Sequence, residues 1–258
     1  EGFRLGAKDF ISKPFDNIVM LSRIRAQMEL YEYQTDLEKI VQEKTGKIED
    51  LQQVITMSWA EAIESRDGTT GSHVRNTTRY FEAFLRILGQ KESYKAAFLE
   101  ETRSDMLKAS AMHDVGKIGI SDMVLKKPGP LTIEEYERMK EHSEIGAEMI
   151  RKLIGTAHPD RFLLYALDMA RYHHEHWDGT GYPCRLEKNE IPLYVQVLSI
   201  VDVFDALTAV RPYKRAFTLE EALEIMQKDR GKFFSPELFD IFYENREIMK
   251  QVLETKES

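Results

Sequence analysis

Histidine and aspartate recur inside or at the ends of apolar helical stretches of this chain, and that placement restricts the folds open to it. His113-Asp114 follows Met106 to Met112, a mostly small or apolar run that reads as a buried helix. His142 has Met139, Gly146 and Met149 at helical spacing. His173-His174 closes a stretch in which Leu163, Ala166 and Ala170 share a face with His173. Asp202 and Asp205 lie in Leu193 to Val210, which is apolar nearly all round and reads as a central buried helix. A desolvated carboxylate left without a partner is costly. Such a fold must either bring these groups together or give each a partner of its own.

Taken singly, each group has an ordinary alternative. His142 could be a core histidine bonded to a backbone carbonyl, Asp202 an ion-pair partner, and His113-Asp114 an exposed pair at a helix end. The set is more telling. His73, His113-Asp114, His142, His173-His174 and Asp202 come from separate segments, and convergence of several helices is how bundles build metal sites. Imidazole and carboxylate without thiolate suit iron, manganese, zinc, nickel or cobalt. The same mix argues against a structural Cys-rich zinc site. Six or seven ligands are too many for one tetrahedral ion, so two divalent ions bridged by a carboxylate are expected.

The chain has three textures. Residues 63–258 read as mostly helical, with capping boxes at Thr132/Glu135 and Thr218/Glu221 and an N-cap at Ser235-Pro236. Its main irregular stretch is Asp178 to Pro192, broken by Gly179, Gly181, Pro183 and Pro192. Residues 28–62 carry two interleaved seven-residue series, Leu30, Leu37, Lys44, Leu51, Ser58 and Val41, Ile48, Ile55, Ala62. That is the pattern of a coiled coil, weakened by Lys44 and Ser58, and it predicts a dimerising linker helix. The alternative is a single helix packed on its own domain. In residues 1–27, Phe10 and Ile11 read as the end of a buried strand, Lys13-Pro14 as a turn, and Ile18 to Ala26 as helical. This piece resembles the last strand and helix of a response-regulator receiver domain. The resemblance implies a phosphoryl-contacting role for Lys13, a cis Pro14 and a cognate histidine kinase. The phospho-accepting aspartate is absent.

The larger part, from about Glu61 to Phe242, resembles the HD-GYP family of HD phosphohydrolases. Glu64-Ser-Arg-Asp67 with Thr70 and His73 is similar to the family's opening segment. His113 to Lys117 matches His-Asp-x-Gly-Lys, and Lys140-Glu-His142 the next histidine motif. His173-His-Glu-x-x-Asp-Gly-x-Gly-Tyr-Pro183 carries the naming motif in full. Asp202 to Lys214 matches the last. The resemblance implies an all-α HD-type bundle that hydrolyses cyclic di-GMP to the linear dinucleotide or GMP. It implies His113, Asp114, His142, His173, His174 and Asp202 as metal ligands, with Asp114 as the bridge and His73 as a further candidate. Lys117 and Asp114 would be catalytic, with iron or manganese as the favoured ions. Lys117, Arg211, Lys214, Tyr182 and Asp205 would contact substrate. Some members bind a third metal through a glutamate shortly before the histidine matched by His73; Gly68 and Thr69 stand there in this chain, so two ions are expected. Diguanylate cyclase (GGDEF) domains are implied as partners of the loop that carries the GYP motif. The alternatives are a non-hydrolysing sensor or scaffold, or a hydrolase of another cyclic dinucleotide.

Composition bounds the rest. A formal net charge of −8 argues against broad contact with nucleic acid, which needs a basic face. One cysteine, Cys184, rules out an internal disulfide and suits a reducing cytoplasm. No apolar run is long enough to span a bilayer. The chain begins at Glu1 without a signal peptide, so a piece of a longer protein is expected. His158 and His176 read as loop and exposed residues. Trp177 is expected to pack under the loop rather than stack on a base.

Overall fold

The computed structural model describes residues 6, 8–11, 13, 14, 16–67, 72–156, 160–209 and 216–254. Among them the regular elements are helices, with no strand. The chain divides into two units, Glu1–Gln52 and Gln53–Ser258.

In the first unit the Lys13–Pro14 peptide bond is cis. Phe10 and Ile11 do not form the expected strand, and Phe10 is 64% exposed. A strand needs a second strand beside it, and here the N–H of Phe10 goes instead to the Asp9 carboxylate and its C=O to the Arg23 guanidinium. Helix α1, Asn17–Glu64, begins after Asp16, whose Oδ1 accepts from the backbone N–H of Ile18 at 2.7 Å. That bond satisfies one of the open donors of the first turn. The helix runs without a break from the Ile18–Ala26 stretch into the heptads. Leu30, Leu37, Val41, Ile48 and Leu51 are all exposed on it.

In the second unit, α2 (Ser72–Gly89) is amphipathic. Tyr80, Phe81, Phe84, Leu85 and Leu88 are buried on one side, and Arg75, Arg79 and Arg86 are exposed on the other. It packs on α3 (Glu100–Ser110) and on α7 (Leu193–Thr208). Helix α7 is buried almost all round, with no exposure at Val195, Val197, Leu198, Ile200, Val201 or Phe204. Phe204 meets Tyr80 at 5.0 Å and Phe242 at 5.3 Å between ring centres, and Phe84 meets Phe242 at 5.2 Å. These edge-to-face contacts are the favoured arrangement of aromatic quadrupoles. They join α2, α7 and α9 (Pro236–Glu244).

The short helix α4 (Asp122–Leu125) leads to α5 (Ile133–Thr156), which packs on α6 (Arg161–Tyr172) and on a 3₁₀ turn, Val115–Gly119. The approach of that turn to α5 depends on Gly116, where a Cβ would lie 1.8 Å from the His142 carbonyl oxygen. The chain ends in α8 (Leu219–Gln227), α9 and α10 (Arg246–Glu254). Both predicted capping boxes form. Thr132 and Glu135 exchange bonds of 2.7 and 3.2 Å, and Thr218 and Glu221 bonds of 2.9 and 3.2 Å. Ser235 is the N-cap of α9 through its backbone, with Pro236 in the first turn. No described helix is long and apolar enough to cross a membrane.

Candidate metal centre

Three imidazoles are fixed by the backbone of their own segments. The Nδ1 atoms of His113, His142 and His173 bond to the carbonyls of Ser110 (2.8 Å), Met139 (2.6 Å) and Met169 (2.9 Å). A carbonyl only accepts, so each Nδ1 carries a proton and each Nε2 is turned toward the site. That is the usual support of a metal-binding histidine. The Nε2 atoms converge on Asp114. Its Oδ1 lies 3.4 Å from His142 and 3.7 Å from His173, and its Oδ2 lies 3.4 Å from His113. Ligand atoms of Asp114, His142, His173 and His174 all fall within 4.8 Å of one another, as do those of His73, His113 and Asp202. Asp202 Oδ1 sits 3.1 Å from His73 Nε2 and 3.8 Å from His113 Nε2.

The residues fit a pair of divalent ions. Among the described residues, His113 Nε2 and Asp114 Oδ1 are buried and find no hydrogen-bond partner. Leaving such atoms unsatisfied costs about 1–3 kcal/mol each, and a cation beside each removes that cost. Electrostatics prepares both carboxylates and three of the rings. Burial raises the carboxyl of Asp114, but the charges of Lys117 and His113 outweigh it and hold the group well below the usual carboxylate range. Burial acts the same way on Asp202, and its hydrogen bond to His73 outweighs it. Burial lowers His173 to about 3, helped by the charge of His113, and it lowers His174 and His142 as well. Those three rings are neutral near pH 7, the state that ligates. Burial also opposes charge on His73, but Asp202 and Asp205 on its two ring nitrogens prevail and raise it to about 10. His113 is raised too, burial being overcome by Asp114.

All of these candidate ligands except His113, which lies behind them, line a cleft of about 590 Å³, within the usual range of ligand sites. Lys117 reaches into it with Nζ 2.7 Å from Asp114 Oδ2. Tyr182 lies on the His174 ring at 4.7 Å, with planes 26° apart, and Lys140 Nζ is 5.6 Å from the Tyr182 ring centre. The loop carrying Tyr182 is fastened from behind. Glu175, only 2% exposed, accepts from the backbone N–H groups of Cys184 at 2.6 Å and Leu186 at 2.9 Å. Gly181 is required because a Cβ there would lie 2.4 Å from the His176 nitrogen.

The structure thus joins His73, His113, Asp114, His142, His173, His174 and Asp202, with Lys117 and Tyr182 on the same cleft. Arg211 and Lys214 lie outside the described residues, as do Gly68, Thr69, Thr70 and His158. Asp205 is placed differently from the expected substrate contact. Its side chain has no exposure, and its Oδ2 holds His73 Nδ1 at 2.7 Å. At helical spacing from Asp202 it falls one turn deeper in the core, where an imidazole rather than a phosphate meets it. His176, expected to be exposed, is half-buried and bonded to Thr180 Oγ1 at 3.1 Å.

Sequence reasoning missed three supports. The guanidinium of Arg66 bonds to the carbonyl of Ile118 at 2.9 Å and to Asp122 at 2.8 Å, pinning the turn that follows Asp114. Ser199 Oγ donates to the His173 carbonyl at 2.7 Å. Glu175 is the third. Arg66 and Glu175 stood inside quoted motifs, which was the available signal. Ser199, in an apolar helix, gave none.

The family pattern described as "HD domain" matches residues 60–238. The chain is 33% identical to a "Probable cyclic di-GMP phosphodiesterase" of Vibrio cholerae, covering 93% of this chain and 56% of that protein. It is 35% identical to a "3'3'-cGAMP-specific phosphodiesterase 2" of the same organism, covering 86% and 40%. It is 33% identical to the "Cyclic di-GMP phosphodiesterase response regulator RpfG" of Xanthomonas campestris pv. campestris, covering 96% and 64%. The chain therefore spans roughly half the length of these curated relatives. A crystal structure of a cyclic GMP-AMP specific phosphodiesterase from V. cholerae shares the fold, with a TM-score of 0.52 and 18% identity over 78% of this chain and 48% of that one. The chain belongs to the HD domain family, and its complete His-His-Glu to Gly-Tyr-Pro motif is the one on which its resemblance to the HD-GYP branch rests.

Proposed function

We propose that this chain hydrolyses the phosphodiester bonds of cyclic di-GMP, giving the linear dinucleotide, GMP or both. The observation that carries the reading is the pair of adjacent His/Asp groups meeting at Asp114, each able to hold a cation, on one cleft. Asp114, His142, His173 and His174 would hold one divalent ion, and His73, His113 and Asp202 the other. Asp114 would be shared between them, with iron or manganese as the favoured metals. Bound there, two such ions supply a water acidic enough to ionise near neutral pH and offset charge on the phosphoryl oxygens. Lys117 stands beside the shared carboxylate, placed to stabilise developing charge or to protonate the departing 3′ oxygen. Tyr182, held against His174, closes the wall where the substrate's edge would lie. Arg211 and Lys214, carried over from the family resemblance, would orient the phosphate.

The relative named for 3'3'-cGAMP supports a second reading, hydrolysis of a mixed cyclic dinucleotide. Around this site we place a receiver domain ending near residue 27 and answering to a histidine kinase, and a homodimer paired through the α1 heptads. Recruitment of GGDEF domains by the GYP loop completes the proposal. Metal analysis of purified protein, followed by turnover of cyclic di-GMP and 3'3'-cGAMP, tests the reading. Stoichiometric metal with hydrolysis of cyclic di-GMP supports it. Tight nucleotide binding without turnover, with each candidate metal, refutes it.

A further inference from the structure

The cleft also has an apolar flank for which a phosphate group has no use. Val203, Leu207, His176, Phe233 and Phe234 form it. Its outer part is the turn between α8 and α9. Gly231, at φ 78°, supplies the left-handed residue. The Asp229 carbonyl accepts from the backbone N–H of Lys232 at 3.0 Å and of Phe233 at 2.9 Å. Phe234 turns inward, 2% exposed, and stacks on Phe239 with planes 12° apart. Phe233 stays 38% exposed. Its ring lies on the His176 imidazole, with centres 3.9 Å apart and planes 18° from parallel. Two backbone bonds tie this turn to the GYP loop, Trp177 N–H to the Phe233 carbonyl at 3.1 Å and Asp178 N–H to the Lys232 carbonyl at 2.9 Å.

An aromatic ring held this firmly loses little freedom when a second flat ring settles on it. Phe233 has no hydrogen-bonding group, so it offers a surface without reading a base edge. Stacking of this kind tolerates any base, because every base has a π-face. We propose that Phe233, backed by His176, is a base-stacking platform. It takes one purine of a cyclic dinucleotide while the phosphodiester lies at the His/Asp groups, and it does not distinguish guanine from adenine. This rests on the phosphodiesterase reading and adds to it a division of labour: affinity from the platform, base choice from elsewhere.

Steady-state kinetics of the metal-loaded protein with cyclic di-GMP and with 3'3'-cGAMP tests the platform. Phe233→Ala is expected to raise KM roughly tenfold for both substrates, the scale of one lost base stack, with little change in kcat. Phe233→Trp should keep KM near the wild-type value. Phe233→Leu, which keeps apolar volume but no ring, should resemble Phe233→Ala. The platform is overturned by a leucine variant with wild-type KM, by a loss confined to kcat, or by an effect on only one substrate. If wild-type protein turns over neither dinucleotide, the phosphodiesterase reading fails instead. Calorimetric titration with GMP then judges the platform alone: weaker binding by Phe233→Ala supports it, and equal binding overturns it.

Discussion

Helices α1 and α7 are both rich in leucine, isoleucine and valine at regular spacing, yet they use those residues in opposite ways. In α7 the apolar side chains are buried and hold Asp202 and Asp205 in place among them. In the first-unit part of α1, Leu37, Val41, Ile48 and Leu51 are exposed. The second unit supplies partners of its own: Asp114, Asp202 and Asp205 have histidines, and Tyr80, Phe84, Phe204 and Phe242 have one another. Among the described residues the α1 heptads have no such account. A periodic apolar pattern therefore states that a face is to be covered, not what covers it.

The largest expected effect lies at the centre of the buried side of that comparison. Asp114→Ala should lower turnover at least about a thousandfold, the scale of losing a main transition-state stabiliser, and should reduce bound metal while helical circular dichroism is unchanged. A variant that keeps its metal and its rate would break the site. Next comes Phe242→Ala, which empties the aromatic junction of α2, α7 and α9 and should cost about 3–5 kcal/mol in denaturant unfolding. Glu175→Ala follows. It strips the acceptor from two backbone N–H groups, so a loss of about 1–3 kcal/mol is expected, together with faster hydrogen exchange at Cys184 and Leu186. The smallest effect belongs to α1. Leu51→Ala should change stability by less than about 0.5 kcal/mol, as surface substitutions do, if the helix stands alone. If the heptads pair in a dimer, the same change should instead shift the monomer–dimer equilibrium in sedimentation runs over a range of protein concentrations.

Much of the site was legible because its chemistry contradicts its surroundings. Imidazole and carboxylate at the ends of apolar helices demand partners, and the residues so marked do converge. The reading was less sure where a residue's role depends on depth. Asp202 and Asp205 share a stripe of α7, and sequence spacing does not say that one faces the cleft and the other lies beneath it. Phe10 and Ile11 failed for another reason. Strand propensity is local, but a strand exists only with a partner. Glu175 and Arg66 act through backbone atoms of distant loops, which carry no side-chain signature. Phe233 is one apolar residue among many until the turn that presents it is known. The domain boundaries at 27 and 62 were read from changes of composition, which mark texture rather than contact.

Gly116 has no functional group with which to do chemistry, yet its hydrogen sits where any larger substituent would collide with the His142 backbone. The turn that carries Asp114 and the helix that carries His142 therefore cannot be altered independently at this point. An alanine here would press on the His142 main chain and pry Asp114 and His142 apart without touching either side chain. In a random screen for dead variants, position 116 should score alongside the ligands themselves, and that score would report clearance between main chains rather than a reactive role.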